Sequence, residues 1–182
     1  SEFRRMRRIA LPPARPSPST LAPLLAAALA ACAHAPLHEE RWSAPAGGRD
    51  VELVVRHAPQ DEAAARQVRR ALAAALPQAT RFGTLTAPVT ITIHPTHGAL
   101  EEAARHPDHP WLRAWARPGG IELQSPRTWS RGMATDAQLV QLLAHELTHC
   151  VMFQSVGSDA RVARTIPVWF REGMATYGSG EA

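Results

Sequence analysis

The sequence predicts an α+β domain in which a small mixed sheet precedes a helical half. Apolar and polar residues alternate from Val89 to His94, which is typical of a half-buried strand. Apolar residues then recur at helical spacing between Thr135 and Gly157. Because the strand patterns come first and the long helical patterns follow, we expect segregated elements rather than a regular α/β alternation. The 182 residues suit one domain with a modest appendage.

The first 31 residues have the composition of a targeting segment. Residues 1–3 have the character of a cloning scar or upstream read-through, and Met6 is a natural candidate for the start. Arginines then precede an apolar run from Leu21 to Ala31, which is too short for a membrane span of about 20 residues but suits a signal peptide. The run ends in Leu29-Ala30-Ala31-Cys32, which resembles the lipobox of bacterial lipoproteins.

This resemblance implies a lipid on Cys32 that holds the protein at a membrane, on the periplasmic side of a bacterial cell envelope. Ala33 after the lipidated residue resembles the outer-membrane sorting pattern. The alternative is an ordinary secretory signal, cleaved near Ala33 or Ala35.

The charge distribution argues against a nucleic-acid partner. The net charge is +4 and the isoelectric point is near 10.3. Five of the 20 arginines and one of the 16 acids lie in residues 1–31, which leaves 15 of each in the remainder. The remaining domain is therefore about neutral, and its charge gives no support to a phosphate-binding surface.

A strand and a helix are predicted to begin the domain. Residues 32–48 are rich in Ala, Pro, Gly and charge without periodicity, which predicts a flexible tether followed by a domain over 49–182. Val51 to Arg56 has strand composition. Asp61 to Leu76 has Ala and Leu at helical spacing, and we expect Pro77 to end this helix.

The sheet is predicted to continue after this first helix. The strand at Val89–His94 precedes a short helical segment from Gly98 to Arg105. Two apolar stretches, 112–115 and 121–123, then flank Pro118-Gly119-Gly120, which predicts a β-hairpin.

The longest helix carries the first chemical motif. Thr135 and Gln138 form a capping-box pattern at its start, and Gly157 is a suitable stop. Within it lies His145-Glu146-Leu147-Thr148-His149. Four residues advance a helix by about 400°, so both imidazoles lie on one face, one turn apart, and can reach one ion. Glu146, about 100° further round, can instead act as a base on a water at the metal.

The second motif is Trp169-Phe170-Arg171-Glu172-Gly173-Met174-Ala175, preceded by Pro167 at a helix start. Two histidines leave zinc in need of a third protein ligand, and a carboxylate on a following helix is one solution. The alternative for Glu172 is an exposed acid that stabilises a helix N-terminus.

Together the motifs, over roughly residues 135–178, resemble the gluzincin clan of zinc metallopeptidases, in particular its small peptidase-MA-like members. The resemblance implies a zincin-like fold and one zinc ion held by His145, His149 and Glu172. It implies Glu146 as the base of peptide-bond hydrolysis, with a peptide or protein as substrate. Small residues after the ligand, here Gly173 and Ala175, are expected to let the two helices approach closely.

In such relatives the substrate lies antiparallel to an edge strand above the active-site helix. The expected strand here is Ile121-Glu122-Leu123-Gln124. Tyr177 is a candidate oxyanion donor, although it lies about 140° round the helix from Glu172, which favours core packing. Trp169 and Phe170 are expected to anchor the core.

Two features depart from the larger relatives. Where they place an Asp four residues after the ligand Glu to orient the first histidine, this chain has Thr176, so that support must come from elsewhere. The chain also ends at Ala182, as a minimal member or a piece of a longer protein would. Cys150 is expected to be a small buried apolar residue.

Two rival functions remain open. One is a zinc-binding but non-catalytic envelope lipoprotein that acts as a scaffold or assembly factor, and Glu146 argues against it because a structural zinc site needs no base. The other is a signal-anchored binding module without metal, which would make both motifs coincidental.

Overall fold

Five strands form one mixed sheet in the computed structural model, which describes residues 36–129, 132–157 and 165–181. In chain order they are β1 (His38–Pro45), β2 (Asp50–His57), β3 (Val89–His94), β4 (Ala114–Arg117) and β5 (Gly120–Gln124). Their spatial order is β1-β2-β3-β5-β4. The outer pairs β1/β2 and β4/β5 are antiparallel, whereas β3 is parallel to both β2 and β5. The predicted α+β class with a small mixed sheet is therefore confirmed.

Four helices accompany the sheet in the described residues. They are α1 (Glu62–Ala79), α2 (His97–Ala104), α3 (Asp136–Ser155) and α4 (Val168–Ser179). Single 3-10 turns lie at Pro59–Asp61, Thr80–Phe82 and Pro126–Thr128. None of the described helices combines the length and apolarity needed to cross a membrane. The predicted signal segment and Cys32 lie outside the described residues.

The main core lies between one face of the sheet and the helices α1 and α3. The odd-numbered residues of β3, such as Ile91, are fully buried there, as are Leu143 and Leu147 of α3. Each such leucine contributes about 1.5–3 kcal/mol by its removal from water. The core therefore fixes α3, which bears the first motif, against the sheet.

The opposite face of the sheet carries α2. Leu100 and Ala104 of this helix form a small second cluster with Leu112, against which Trp115 packs. His94 and Glu122 also lie on this side and are joined through the His94 Nε2 at 2.7 Å. The alternation of side chains along a strand explains why neighbouring residues serve different clusters.

The tether predicted over residues 32–48 is wrong for residues 38–45, which form β1. This strand pairs with β2 along its whole length, from His38 opposite His57 to Pro45 opposite Asp50. The strand contributes little to the main core, because only its residues Trp42 and Ala44 pack on it. The guanidinium of Arg69 lies 4.7 Å from the Trp42 ring centroid and covers its other side. An edge strand with so few apolar residues resembles a linker in composition.

The end predicted for the first helix is also wrong. Pro77 lies within the last turn of α1, which continues to Ala79. A proline there removes one helical N–H, and its exposed position leaves the freed carbonyl accessible to solvent. The short helix, the hairpin and the strands at 50–57 and 89–94 follow the predicted positions to within a few residues.

Candidate metal centre

Helix α3 places both motif histidines on one face. Thr135 caps it as predicted: its hydroxyl accepts from the Gln138 N–H at 3.2 Å, and the Gln138 side chain accepts from the Thr135 N–H at 3.0 Å. The rings of His145 and His149 lie with their centroids 5.0 Å apart. Both rings are largely shielded from solvent, since their side chains are 17% and 9% exposed.

Helix α4 brings the carboxyl of Glu172 to these rings. Its Oε2 lies 3.5 Å from the His145 Nε2 and 3.6 Å from the His149 Nε2. Ligand atoms at about 2.0–2.1 Å from a tetrahedral ion are separated by about 3.3 Å, so these spacings fit one zinc ion. The three residues therefore form a group that could hold a metal ion, with ligand atoms all within 4.8 Å of one another. The Glu172 side chain is 51% exposed, which leaves the group open to solvent.

The close approach of α3 and α4 depends on a glycine that differs from the predicted one. Ala175 is fully buried, as expected, but a Cβ on Gly173 would meet nothing within 4 Å. At Gly178, by contrast, a Cβ would lie 2.8 Å from the Thr148 hydroxyl oxygen. The prediction for Gly173 is wrong because this residue faces solvent, about 100° round the helix from Glu172.

Glu146 is buried beside the histidine face, next to β4. Burial raises the pKa of its carboxyl to about 8, and the negative charges of Glu172 and Glu181 act in the same direction. A hydrogen bond from the backbone N–H of Ala116 opposes this rise. Glu146, the predicted base, is thus separate from the three candidate ligands and lies at the edge of the sheet.

This edge is β4, so the prediction that residues 121–124 form the edge strand is wrong. Ile121, Glu122, Leu123 and Gln124 belong to β5, which lies between β3 and β4. The Gln124 N–H donates to the Arg113 carbonyl, and the antiparallel alternation then turns the backbone groups of Ala114 and Ala116 away from β5. That orientation explains how the Ala116 N–H reaches Glu146.

Burial also lowers the pKa of His149, despite the opposing effect of the Glu172 carboxylate. A neutral imidazole is the form that binds a metal, because the coordinating nitrogen needs a free lone pair. The His149 Nδ1 is buried and has no hydrogen-bond partner among the described residues.

The ring of His145 lies beside a further carboxylate, which the sequence analysis did not predict. Glu181 Oε2 lies 3.4 Å from the His145 Nδ1. The chain reaches this position because α4 ends at Gly180 in the left-handed conformation, with a φ of 73°. The available signal was the Gly180-Glu181 pair, since a glycine just after a helix turns the next residue back toward the last turn.

The aromatic residues of α4 do not occupy their expected places. Trp169 is 75% exposed and Phe170 42% exposed, so the prediction that they anchor the core is wrong. Tyr177 is 63% exposed, and its ring packs on Phe82 with centroids 5.7 Å apart. The expected core packing of Tyr177 is therefore wrong, and its role as an oxyanion donor stays a prediction. Cys150 is buried as expected, and its thiol donates to the Arg117 carbonyl at 3.3 Å.

In comparisons with known proteins, no family model matches the chain, and no curated protein matches it. The likeness to gluzincins therefore rests on the two motifs, and the convergence of three side chains is a separate structural observation.

Proposed function

We propose that this protein is a zinc-dependent peptide-bond hydrolase with a zincin-like catalytic domain. The observation that carries the proposal is the position of the Glu172 Oε2, 3.5 and 3.6 Å from two imidazole Nε2 atoms, with the separate carboxyl of Glu146 on the same helix as both rings. Two imidazoles and one carboxylate are a donor set that binds zinc and leaves a coordination place open. An open place is the mark of a catalytic site rather than a structural one.

The residues of the chain divide the chemistry between them. His145, His149 and Glu172 would hold the ion, which supplies Lewis-acid chemistry by polarising the substrate carbonyl and acidifying the attacking water. A nearby cation lowers the pKa of a carboxyl, so the bound ion would offset the rise at Glu146 and favour its carboxylate form. That carboxylate accepts the proton of the attacking water as the water oxygen attacks the amide carbonyl. Glu146 then transfers the proton to the leaving amine nitrogen, so one side chain serves both halves of the reaction.

The substrate backbone is proposed to lie along the outer edge of β4. The Ala116 carbonyl and both backbone groups of Ala114 face this edge, next to the Ala116 N–H that contacts Glu146. An extended peptide can add to such an edge as a further strand, with main-chain hydrogen bonds that do not depend on its sequence. The scissile bond is then delivered beside the carboxyl of the base.

The proposal is tested by zinc analysis of the purified protein and by cleavage of a peptide library with and without a chelator. Glu146→Gln should retain zinc and lose about 10²–10⁴-fold in cleavage rate, because only the proton carrier is removed. Glu102→Gln, an exposed acid on α2, is the matched control and should cleave normally. Retained cleavage in Glu146→Gln would refute the mechanism, and a zinc-free wild type would refute the metal centre.

The same assays address the second candidate, a non-catalytic zinc-binding scaffold. The exposure of Val168 and Trp169, 61% and 75%, on the first turn of α4 favours this candidate, because such residues suit a partner surface. A protein that binds zinc but cleaves no peptide in the library would replace the hydrolase with the scaffold.

We also propose that the protein is anchored in the bacterial cell envelope by a lipid on Cys32. The sequence Leu29-Ala30-Ala31-Cys32 after an apolar run supports this placement. Cys32→Ala should move the protein from the membrane fraction to the soluble periplasmic fraction. A wild type that already lies in the soluble periplasmic fraction would favour the ordinary secretory signal.

A further inference from the structure

We propose that Glu181 is the positioning residue of the metal centre, which fixes the ring of His145 so that its Nε2 faces the ion. The inference rests on the proposed zinc site. The carboxylate belongs to the residue that follows Gly180, just beyond the end of α4.

The two nitrogens of His145 face two different carboxylates. The Nε2 lies 3.5 Å from Glu172, and the Nδ1 lies 3.4 Å from Glu181. A neutral imidazole carries one N–H, so an Nδ1–H directed at Glu181 leaves the Nε2 lone pair free for the ion. Donation of the Nδ1–H to Glu181 would therefore select the tautomer that the metal site requires.

The Nδ1 atom has little alternative to this acceptor. It is buried and has no hydrogen-bond partner among the described residues. The separation of 3.4 Å is about 0.5 Å longer than a typical N–H···O bond. The Glu181 side chain is 35% exposed, so it has room to turn toward the Nδ1–H and accept it.

The backbone holds Glu181 in place through the end of α4. The Gly180 N–H donates to the Tyr177 carbonyl at 3.4 Å, and the Glu181 N–H donates to the Thr176 carbonyl at 3.1 Å. These two bonds and the left-handed Gly180 make up a Schellman motif. These hydrogen bonds hold the backbone of Glu181, and its side chain extends from there toward His145.

The test compares the zinc affinity of Glu181→Ala and Glu181→Gln by competition with a chromogenic chelator. Loss of an orienting partner typically weakens metal binding by about 10–100-fold, which we expect for Glu181→Ala. Glu181→Gln keeps an oxygen acceptor without the charge and should retain most of the affinity. Glu102→Ala, an exposed acid on α2, is the control and should bind zinc as the wild type does.

Each outcome has one meaning. Wild-type affinity in Glu181→Ala would overturn the inference while leaving the zinc site in place. Equal weakening in Glu181→Gln and Glu181→Ala would show that charge rather than orientation matters and would also overturn it. A wild type that binds no zinc would refute the proposed function itself. Thermal unfolding of the metal-free variants verifies that each is folded.

Discussion

The contact between Gly178 and Thr148 sets the distance between the two helices of the metal centre, and Gly178→Ala should increase that distance. An added Cβ would lie 2.8 Å from the Thr148 Oγ1 and 3.4 Å from its Cγ2. The Thr148 side chain cannot readily move away. It is buried, β-branched and held by a hydrogen bond to the Ala144 carbonyl at 2.7 Å. Helix α4 must therefore shift by about 0.6 Å to restore an ordinary contact of 3.4 Å.

Two opposing contributions decide how much Gly178→Ala changes the free energy of unfolding. Replacing glycine by alanine in a helix gains about 1 kcal/mol, somewhat less at Gly178 because it lies near the end of α4. Overpacking a buried contact costs about 1–3 kcal/mol. Gly178→Ala should therefore lie between neutral and about 2 kcal/mol destabilised. Gly173→Ala is the control, because its Cβ meets nothing within 4 Å and should simply stabilise the protein by about 1 kcal/mol.

Urea unfolding of the metal-free variants and zinc titration measure the two consequences. Because zinc binding requires the helices to be close, strain of 1.4 kcal/mol in the bound state corresponds to a tenfold loss of zinc affinity. Thr148→Ala removes both contacting atoms, so the double variant with Gly178→Ala should recover most of the loss. Equal stability and equal zinc affinity in Gly178→Ala and Gly173→Ala would refute the reasoning.

Two further predictions concern other parts of the fold. Gly180→Ala forces a Cβ into the left-handed region at φ 73°, so it should lower the free energy of unfolding by about 1 kcal/mol and weaken zinc binding through Glu181. Gly180→Asn, which tolerates that region, should be milder, and equal effects would count against the strain. The hydrogen bond from His94 is the main cause that lowers the pKa of Glu122 below 4.5. This ionised Glu122 therefore stabilises the fold at pH values above its pKa in the unfolded chain, and the stabilisation is lost as the pH falls through its lower pKa in the folded protein. Glu122→Gln should therefore destabilise the protein at neutral pH and lose this effect in acid, as followed by urea unfolding; a constant difference across that range would contradict the linkage.

The helix that carries the two histidines was predictable from sequence because its determinants are local. The capping pair Thr135 and Gln138, the apolar spacing and the stop near Gly157 all lie within the segment itself. The spacing of His145 and His149 then follows from helix geometry alone. Convergence with Glu172 required a second helix, α4; its ligand residue was predictable from the sequence, but its distance from the two histidines was not.

The order of the strands was harder to predict from the sequence. The hairpin of β4 and β5 is visible in the sequence, but which of its strands is inner depends on the pairing of β3, a contact between distant segments. The same limit applies to the prediction of which face of α4 is buried. Trp169 and Phe170 resemble core residues by type, yet α4 buries the face with Ala175 and Gly178 and leaves both aromatic side chains exposed.

The end of α4 therefore contributes to the candidate metal centre in two ways. Gly178 permits the close approach to Thr148, between the two histidines, and Gly180 ends the helix so that Glu181 faces His145. Because Glu172 lies on the same helix, a change at either glycine alters the relation of a carboxylate to an imidazole without removing any metal-binding atom. We therefore expect substitutions at Gly178 and Gly180 to weaken metal binding at the proposed site while leaving its ligand set complete.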